Sequence, residues 1–197
     1  MAAPVSVSHT HVHSIRVQGG REALVARVLV AEGAEGYGFT LNGDAGVARD
    51  MAGWDAAARS RRLSLPGLLG AAACREIAVR ADELPAIAPD WDAFRRGLRE
   101  NRWKLLRLDP FAWGSLEKIH SIAAVAGDRP IALLAPNAHP WELTWCAALA
   151  ATLSARESLV IVRAGPAQNA IAVPGGPGVG IDWSLEPGFA AVRWEPR

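Results

Sequence analysis

The sequence has little cysteine and no segment suited to export or to spanning a membrane. Its 197 residues include two cysteines, Cys74 and Cys146, which lie far apart and in no CxxC pattern. Two scattered thiols favour a reducing cytoplasm, although one disulfide would also satisfy the count. The N-terminus lacks a basic stretch followed by an apolar one, so no signal peptide is expected. No apolar run approaches the ~20 residues that span a bilayer.

An excess of either charge is also missing. Lys and Arg together number 21 and Asp and Glu number 20, which gives a formal net charge of +1. No run of Lys or Arg forms a stripe that would neutralise phosphates. The composition therefore disfavours nucleic acid and anionic membranes as partners.

The chain is rich in apolar residues and in tryptophan. Half of its residues are apolar, which is enough for one domain with a substantial core or for two small domains. There are eight tryptophans and one tyrosine. Several tryptophans, Trp113 and Trp141 among them, lie beside Pro or at the ends of predicted elements. We interpret them as core aromatics, with the walls of a ligand pocket as the alternative.

The first part of the chain predicts a small antiparallel sheet. Residues 14–17 and 23–31 have strand-like patterns and are separated by a turn at 18–21, and residues 35–42 form a third strand. Residues 1–14 are small and polar, so we expect them to be poorly ordered.

Three histidines alternate within that N-terminal segment. On a strand His9, His11 and His13 would face one side, where two or three imidazoles bind Zn²⁺ or Ni²⁺. The alternative is a solvated, weakly ordered segment with no ligand.

Two helices with clear start signals follow. One is predicted at 45–62 with Asp44 as its N-cap, and another at 90–101 with Asp90 as its N-cap. A short strand at 76–80 lies between them.

Residues 105–162 predict a unit that alternates strands and helices, with parallel strands. Its apolar strand at 131–135 has no polar interruption, as expected of a strand that is covered on both faces. The predicted strands are 105–108, 131–135 and 159–162, the predicted helices are 115–126 and 141–153, and a last short strand is predicted at 191–194.

Polar signatures follow the first two strands of this unit. Asp109 follows the first strand, and Asn137 and His139 follow the second. Because the carboxyl ends of parallel strands carry the chemistry of α/β folds, an acid and an imidazole would meet there. This is the sharpest functional indication in the sequence.

Five segments resemble one family, in the order in which that family has them. They are 36–40 (GYGFT), 48–59 with 65–70 (LPGLLG), Asp109 with Trp113-Gly114-Ser115, 137–142 (NAHPWE), and 174–183 (PGGPGVGIDW). Together they resemble the mandelate racemase and muconate-lactonizing branch of the enolase superfamily. The matching parts of that family are the sheet and helix of its capping domain, its sixth and seventh barrel strands, and its C-terminal return segment.

The resemblance implies a site and a reaction. Asp109 would orient His139, which would abstract a proton α to a carboxylate in a racemase, epimerase or dehydratase of a hydroxy acid. The family also implies Mg²⁺. The residues themselves leave a plainer alternative, in which Asp109 caps a turn and His139 is structural. The substrate-binding residues that we assign for a small carboxylate are Asn137, Trp113, Trp141 and Lys104.

The chain departs from that family in length. A (β/α)₈ barrel takes ~250 residues before any cap is added, so this chain cannot hold both. The family's Lys-x-Lys motif and its three metal-binding carboxylates have no clear counterparts, and we assign no metal ligand. In a different alignment, Lys104 would be a remnant of Lys-x-Lys and Ala135 would replace a metal carboxylate. Spare carboxylates on Asp82, Glu83 and Glu142 are the alternative source of ligands.

These observations predict a shortened α/β fold, in which an N-terminal antiparallel, cap-like β-sheet packs on a partial, incomplete (β/α) barrel. The expected divisions are the cap-like sheet at 1–44, the partial barrel at 45–172 and the return segment at 173–197, packed on the cap. An incomplete barrel exposes strand edges, so we expect a homo-oligomer.

Three functions stay open at this point. The first is a degenerate acid–base enzyme that uses His139 and Asp109. The second is a non-catalytic ligand-binding or interaction protein. The third is a subunit that completes a barrel with a partner.

Overall fold

The computed structural model describes residues 6–71, 74–153, 158–163 and 169–194. The chain divides into two compact units, Met1–Gly70 with Pro174–Arg197, and Ala71–Val173. A single 3₁₀ turn, Trp183–Leu185, accompanies the regular elements. The strands and helices are β1 (Val7–Arg16), β2 (Glu22–Val30), β3 (Glu35–Thr40), α1 (Ala45–Ser60), α2 (Leu65–Leu68), β4 (Glu76–Ala81), α3 (Trp91–Arg99), β5 (Leu106–Leu108), α4 (Pro110–Trp113), α5 (Leu116–Ala126), β6 (Ile131–Ala135), α6 (Pro140–Thr152), β7 (Ser158–Val162), β8 (Ala170–Ala172) and α7 (Pro187–Ala190).

The first unit is built on an antiparallel sheet in the order β1-β2-β3. Strand β1 begins at Val7, so the expectation of a poorly ordered segment up to residue 14 is wrong for the part that the structure describes. The physical reason is pairing, because β1 pairs with β2 from Val7↔Val30 to Arg16↔Glu22, with one register shift between Val7 and His9. A sheet partner orders a terminal segment whose own composition would leave it mobile.

Helix α1 belongs to this first unit rather than to the α/β unit in which residues 45–172 were expected. It lies directly on β3, where a Cβ atom added to Gly36 would come within 2.2 Å of the Ala52 carbonyl oxygen. The glycines of β3 therefore permit the close approach of a helix to a strand. The residues buried between sheet and helix are Ala26, Val28, Val30, Ala48, Ala52 and Ala56.

The C-terminal segment covers the other face of the same sheet. The strand expected at 191–194 is wrong, because these residues form a turn and an irregular segment after helix α7. Pro187 lies in the first turn of that helix, a position where its missing N–H costs nothing. Aromatic rings make the contact, with centroids 5.5 Å apart for Tyr37 and Phe189 and 4.9 Å apart for Trp183 and Phe189.

The second unit is an α/β unit whose five-stranded sheet has the order β5-β6-β7-β4-β8. Strands β5, β6, β7 and β4 are parallel, and β8, which the sequence did not predict, is antiparallel to β4. All five residues of β6 are buried, as its apolar run predicted. The described residues form an open sheet rather than a closed barrel, which confirms the expected incomplete α/β fold.

Two smaller expectations concern cysteines and membranes. Both Cys74 and Cys146 are free thiols. Within the described ranges, no helix combines the length and the apolar character that crossing a bilayer requires.

Candidate functional site

The carboxyl ends of three neighbouring parallel strands bring polar side chains to one edge of the second unit's sheet. Asp109 directly follows β5, Asn137 and His139 follow β6, and Arg163 directly follows β7. Since β6 pairs with both β5 and β7 in parallel, these residues share the same end of the sheet.

Asp109 is the N-cap of the short helix α4. Its Oδ1 accepts hydrogen bonds from the backbone N–H groups of Phe111 at 2.9 Å and of Ala112 at 3.2 Å. Burial raises the pKa of this carboxyl above its ordinary value, while those two N–H groups and the charge of Arg163 act in the opposite direction. The side chain therefore has a structural role at the strand end. This agrees with the alternative from the sequence, in which Asp109 caps a turn.

His139 is the N-cap of helix α6. Its Nδ1 accepts a hydrogen bond from the backbone N–H of Trp141 at 3.2 Å. A neutral imidazole whose Nδ1 accepts carries its proton on Nε2, so this bond selects the tautomer. In the expected dyad one ring nitrogen would donate to Asp109, and Nδ1 cannot be that nitrogen while it accepts from Trp141.

Glu142 completes this helix start. It is the third residue of α6 and accepts a hydrogen bond from the backbone N–H of His139, so the two residues form a capping box. Its carboxylate also accepts from the Asn137 backbone N–H at 2.8 Å and from Asn137 Nδ2 at 2.7 Å. Glu142 thus fixes the whole turn from Asn137 to the helix.

The environment of Glu142 is unusual for an acid. The residue is 1% exposed, and burial raises the pKa of its carboxyl, with the charge of Asp109 adding to the effect. Ala138, within the same turn, has a φ of +52°, a left-handed conformation that is costly for a residue with a side chain. Sequence reasoning considered Glu142 only as a spare carboxylate. Its spacing of three residues after His139 was the signal for a capping box.

The two tryptophans assigned to substrate binding are core residues. Trp141 is fully buried, and its ring meets the His139 ring edge-on at 5.3 Å between centroids. Trp113 is 5% exposed, and its indole N–H donates to the Ile87 carbonyl at 3.3 Å. The structure therefore uses both rings for packing.

The other two assigned residues lie in different settings. Asn137 is half-buried and donates to Glu142 through both its backbone and its side chain. Lys104 is exposed in the loop before β5. Asn137 lies with Asp109 and His139 at the carboxyl ends of the strands. Lys104 lies before β5 and therefore at the opposite end of that strand.

The residues present do not fit the Mg²⁺ that the resemblance implies. A Mg²⁺ site needs oxygen ligands in octahedral geometry, with one or two carboxylates turned toward the ion. Both oxygens of Glu142 accept N–H groups, and Asp82 forms an ion pair with Arg107 at 2.9 Å. In the part of the chain that the structure describes, no group of three or more His, Cys, Asp or Glu side chains could hold a metal ion.

Cys146 lies close to this cluster but is not a reactive thiol. It is fully buried, and burial together with the charges of Glu142 and Asp109 raises its pKa well above the ordinary value. Because the thiolate is the nucleophile, such a thiol is chemically inert.

Several solved structures are similar to this chain in fold. The chain is similar to a mandelate racemase/muconate lactonizing enzyme from Bordetella bronchiseptica, with 13% identity over 91% of this chain and 97% of that one and a TM-score of 0.68. It is similar to an enolase from Pseudomonas fluorescens solved with magnesium, potassium and tartrate, at 10% identity, 91% and 90% coverage and a TM-score of 0.70. A muconate cycloisomerase from Azorhizobium caulinodans has 13% identity, 92% and 96% coverage and a TM-score of 0.65.

These likenesses establish the fold that the sequence motifs predicted. No protein-family model matches the chain, and no curated protein does. At 10–14% identity, the structural similarity shows the fold and does not identify a reaction.

Proposed function

We propose that this mandelate racemase-like chain is a non-catalytic protein that binds a small carboxylate at the carboxyl ends of β5, β6 and β7. The observation that carries the proposal is the bond from the Trp141 N–H to His139 Nδ1, which commits the expected base to starting a helix. Asp109, the expected orienting acid, has the same task at α4.

The chemistry of proton abstraction supports this reading. An imidazole base gains basicity when a carboxylate accepts the N–H of its other nitrogen, and Nδ1 of His139, which accepts a backbone N–H, makes no such bond. Removal of a proton α to a carboxylate also develops an enediolate dianion, which needs strong electrostatic stabilisation. The carboxylates at these strand ends are engaged by N–H donors, so they are poor candidates to recruit a stabilising cation.

The proposed ligand is a carboxylate because the guanidinium of Arg163 could bind it. It is exposed at the end of β7, and its charge acts on Asp109 across the strand ends. A guanidinium presents a planar fork of N–H donors that matches a carboxylate. Two free thiols favour the cytoplasm as the proposed location.

An acid–base enzyme that uses His139 and Asp109 is the second candidate. The observation that favours it is the raised pKa of Asp109, because perturbed carboxyl groups at strand ends are typical of active sites. In that case, His139 would act through Nε2, or through Nδ1 after the bond from the Trp141 N–H breaks.

Exchange of the α-proton of 2-hydroxy acids for deuterium, with Mg²⁺ present, separates the two candidates. We expect equal exchange with the natural chain and with His139→Asn, because Asn keeps a good N-cap and removes the base. His139→Ala serves as a further control that lacks both. Exchange by the natural chain above both variants would overturn the proposal and favour the enzyme.

Ligand binding is tested separately by calorimetric titration with tartrate and with mandelate. We expect Arg163→Gln to weaken binding at least tenfold, since the guanidinium is the cation assigned to the ligand. Arg95→Gln, which removes an exposed arginine of α3, should leave the affinity unchanged. Equal binding by both variants, or no binding by the natural chain, would contradict the carboxylate assignment.

A further inference from the structure

Strand β1 forms an edge of the first sheet and carries three histidines on one face. Its cross-strand partners are His9↔Leu29, His11↔Arg27 and His13↔Val25, so successive histidines project to the same side. Among the described residues, β1 pairs only with β2. Residues 8–10 are exposed and residues 11–13 are half-buried, so the far edge of this strand is open to solvent.

The histidines and serines of this edge are placed symmetrically about His11, whereas Thr10 and Val12 differ. Residues 8–14 read Ser-His-Thr-His-Val-His-Ser, with His11 at the centre. When two copies of one strand pair antiparallel about a two-fold axis at residue 11, His11 lies opposite His11 of the second copy and His9 lies opposite His13. Opposite residues of an antiparallel pair are on the same face, with Cβ atoms about 4.5–5.5 Å apart. Such self-complementarity is what a two-fold interface requires.

A single chain offers only part of a metal site on this strand. The rings of His9 and His11 are nearly parallel, with centroids 6.5 Å apart. In the described part of one chain, no three side chains of metal-ligating type are grouped. Zn²⁺ takes three or four ligands, with imidazole nitrogens at about 2.0–2.1 Å. A second strand brought alongside would supply the missing imidazoles.

We propose that two copies of this chain pair through the edges of β1 and together bind Zn²⁺ or a similar divalent ion with their histidines. Each of two symmetry-related ions would be held by His9 of one copy, His13 of the other and one His11. The metal joins the copies because neither strand holds enough ligands by itself.

The surroundings of the strand are compatible with this arrangement. Arg27 lies opposite His11, but its charge is balanced by Glu35, with 4.0 Å between Nε and Oε2, and its guanidinium lies over the Trp194 ring. Trp194 also meets the His13 ring edge-on at 4.9 Å between centroids, which orients that imidazole.

The mass of the full chain in solution, measured by light scattering during size-exclusion chromatography, tests the proposal. We expect an equimolar amount of Zn²⁺ to double the mass and to bind at one ion per chain, and EDTA to reverse the change. The variant His9→Gln/His11→Gln/His13→Gln should stay monomeric. His120→Gln, which changes a histidine of α5, should still respond to zinc. A mass that ignores zinc, or doubling by the triple variant, would overturn the proposal.

Oxidative cross-linking tests the register independently of the metal affinity. In a Cys74→Ser background, His11→Cys places two thiols across the axis and should form a disulfide between copies. Ser8→Cys places them far apart, because residue 8 lies opposite residue 14, and a disulfide needs Cα atoms within about 7 Å. Equal cross-linking of the two variants would show that the strands do not pair in this register.

Discussion

Asp109 and His139 show how one side chain at a strand end can serve either of two purposes. Both stand at the carboxyl ends of parallel strands, and both accept backbone N–H groups at the start of a helix. An N-cap needs a short side chain with an acceptor atom, and a general base needs an acceptor atom as well. Residue type and position therefore could not decide between these roles. The hydrogen bond to His139 Nδ1 supports the capping role.

At this residue scale, we expect Asp109 to make stability depend on pH. Burial raises the pKa of its carboxyl from 3.8 in the folded chain, so the folded state retains the proton at pH values where the unfolded state has lost it. Stability from this group is present below pH 3.8 and is lost as the pH rises through the folded pKa.

Asp109→Asn isolates this effect, because Asn caps a helix about as well as Asp and does not titrate. Urea unfolding midpoints at a series of pH values should show the natural chain losing stability relative to the variant as the pH rises above 3.8. A difference between the two that is constant with pH would contradict the raised pKa.

At the scale of elements, the contact of α1 with β3 rests on glycine. A Cβ atom on Gly36 would lie 2.2 Å from the Ala52 carbonyl oxygen and 2.2 Å from the Ala56 backbone nitrogen. Backbone atoms cannot rotate away from such a clash, so the helix would have to move off the sheet. The small side chains of the Ala residues of α1 likewise allow the helix to lie close to the sheet.

We therefore expect Gly36→Ala to destabilise the chain by about 3 kcal/mol, the upper range for overpacking. Gly53→Ala is the matched control within α1, since an added Cβ there meets nothing within 4 Å. Alanine has the higher helix propensity, so this control should stabilise by about 0.5–1 kcal/mol. Chemical denaturation measures both, and destabilisation by the two variants alike would refute the packing argument.

Local signals predicted elements well and pairings poorly. The N-caps Asp44 and Asp90 were both identified from sequence, because capping depends on a few neighbouring residues. The start of β1 was missed, since its polar residues become a strand only through pairing with β2. Strand β8 was also missed, because a strand of three residues is too short to show a pattern in the sequence.

At the scale of the whole molecule, the order of motifs predicted the fold class, while the division of the chain could not be predicted in the same way. Residues 45–70 belong with the first sheet because of packing between α1 and β3, a contact that no local pattern encodes.

Asp55 connects distant parts of the first unit. It is fully buried and accepts the backbone N–H of Tyr37 at 2.9 Å, that of Val179 at 2.8 Å and the Arg59 Nε–H at 2.6 Å. One carboxylate on α1 therefore holds strand β3 and the C-terminal segment together. Its loss would leave buried donors without an acceptor.

We expect Asp55→Ala to cost about 3 kcal/mol, because the N–H groups of Tyr37 and Val179 lose their acceptor. Glu32→Ala, an exposed change in the turn after β2, should stay within about 0.5 kcal/mol. The midpoint of urea unfolding reports both changes. A small effect for Asp55→Ala would mean that the C-terminal segment is held by its aromatic contacts alone.

The split of the first unit has a consequence for how the chain is made. Residues 71–173 are contiguous, whereas the first unit needs residues from both ends of the chain. The first unit can therefore be completed only after the second has been synthesised. Val179, which donates to Asp55, and Phe189, which lies against Tyr37, are synthesised more than a hundred residues after the strands that they complete. During that interval the face of the sheet that the C-terminal segment later covers is exposed, and we expect chaperones to bind it.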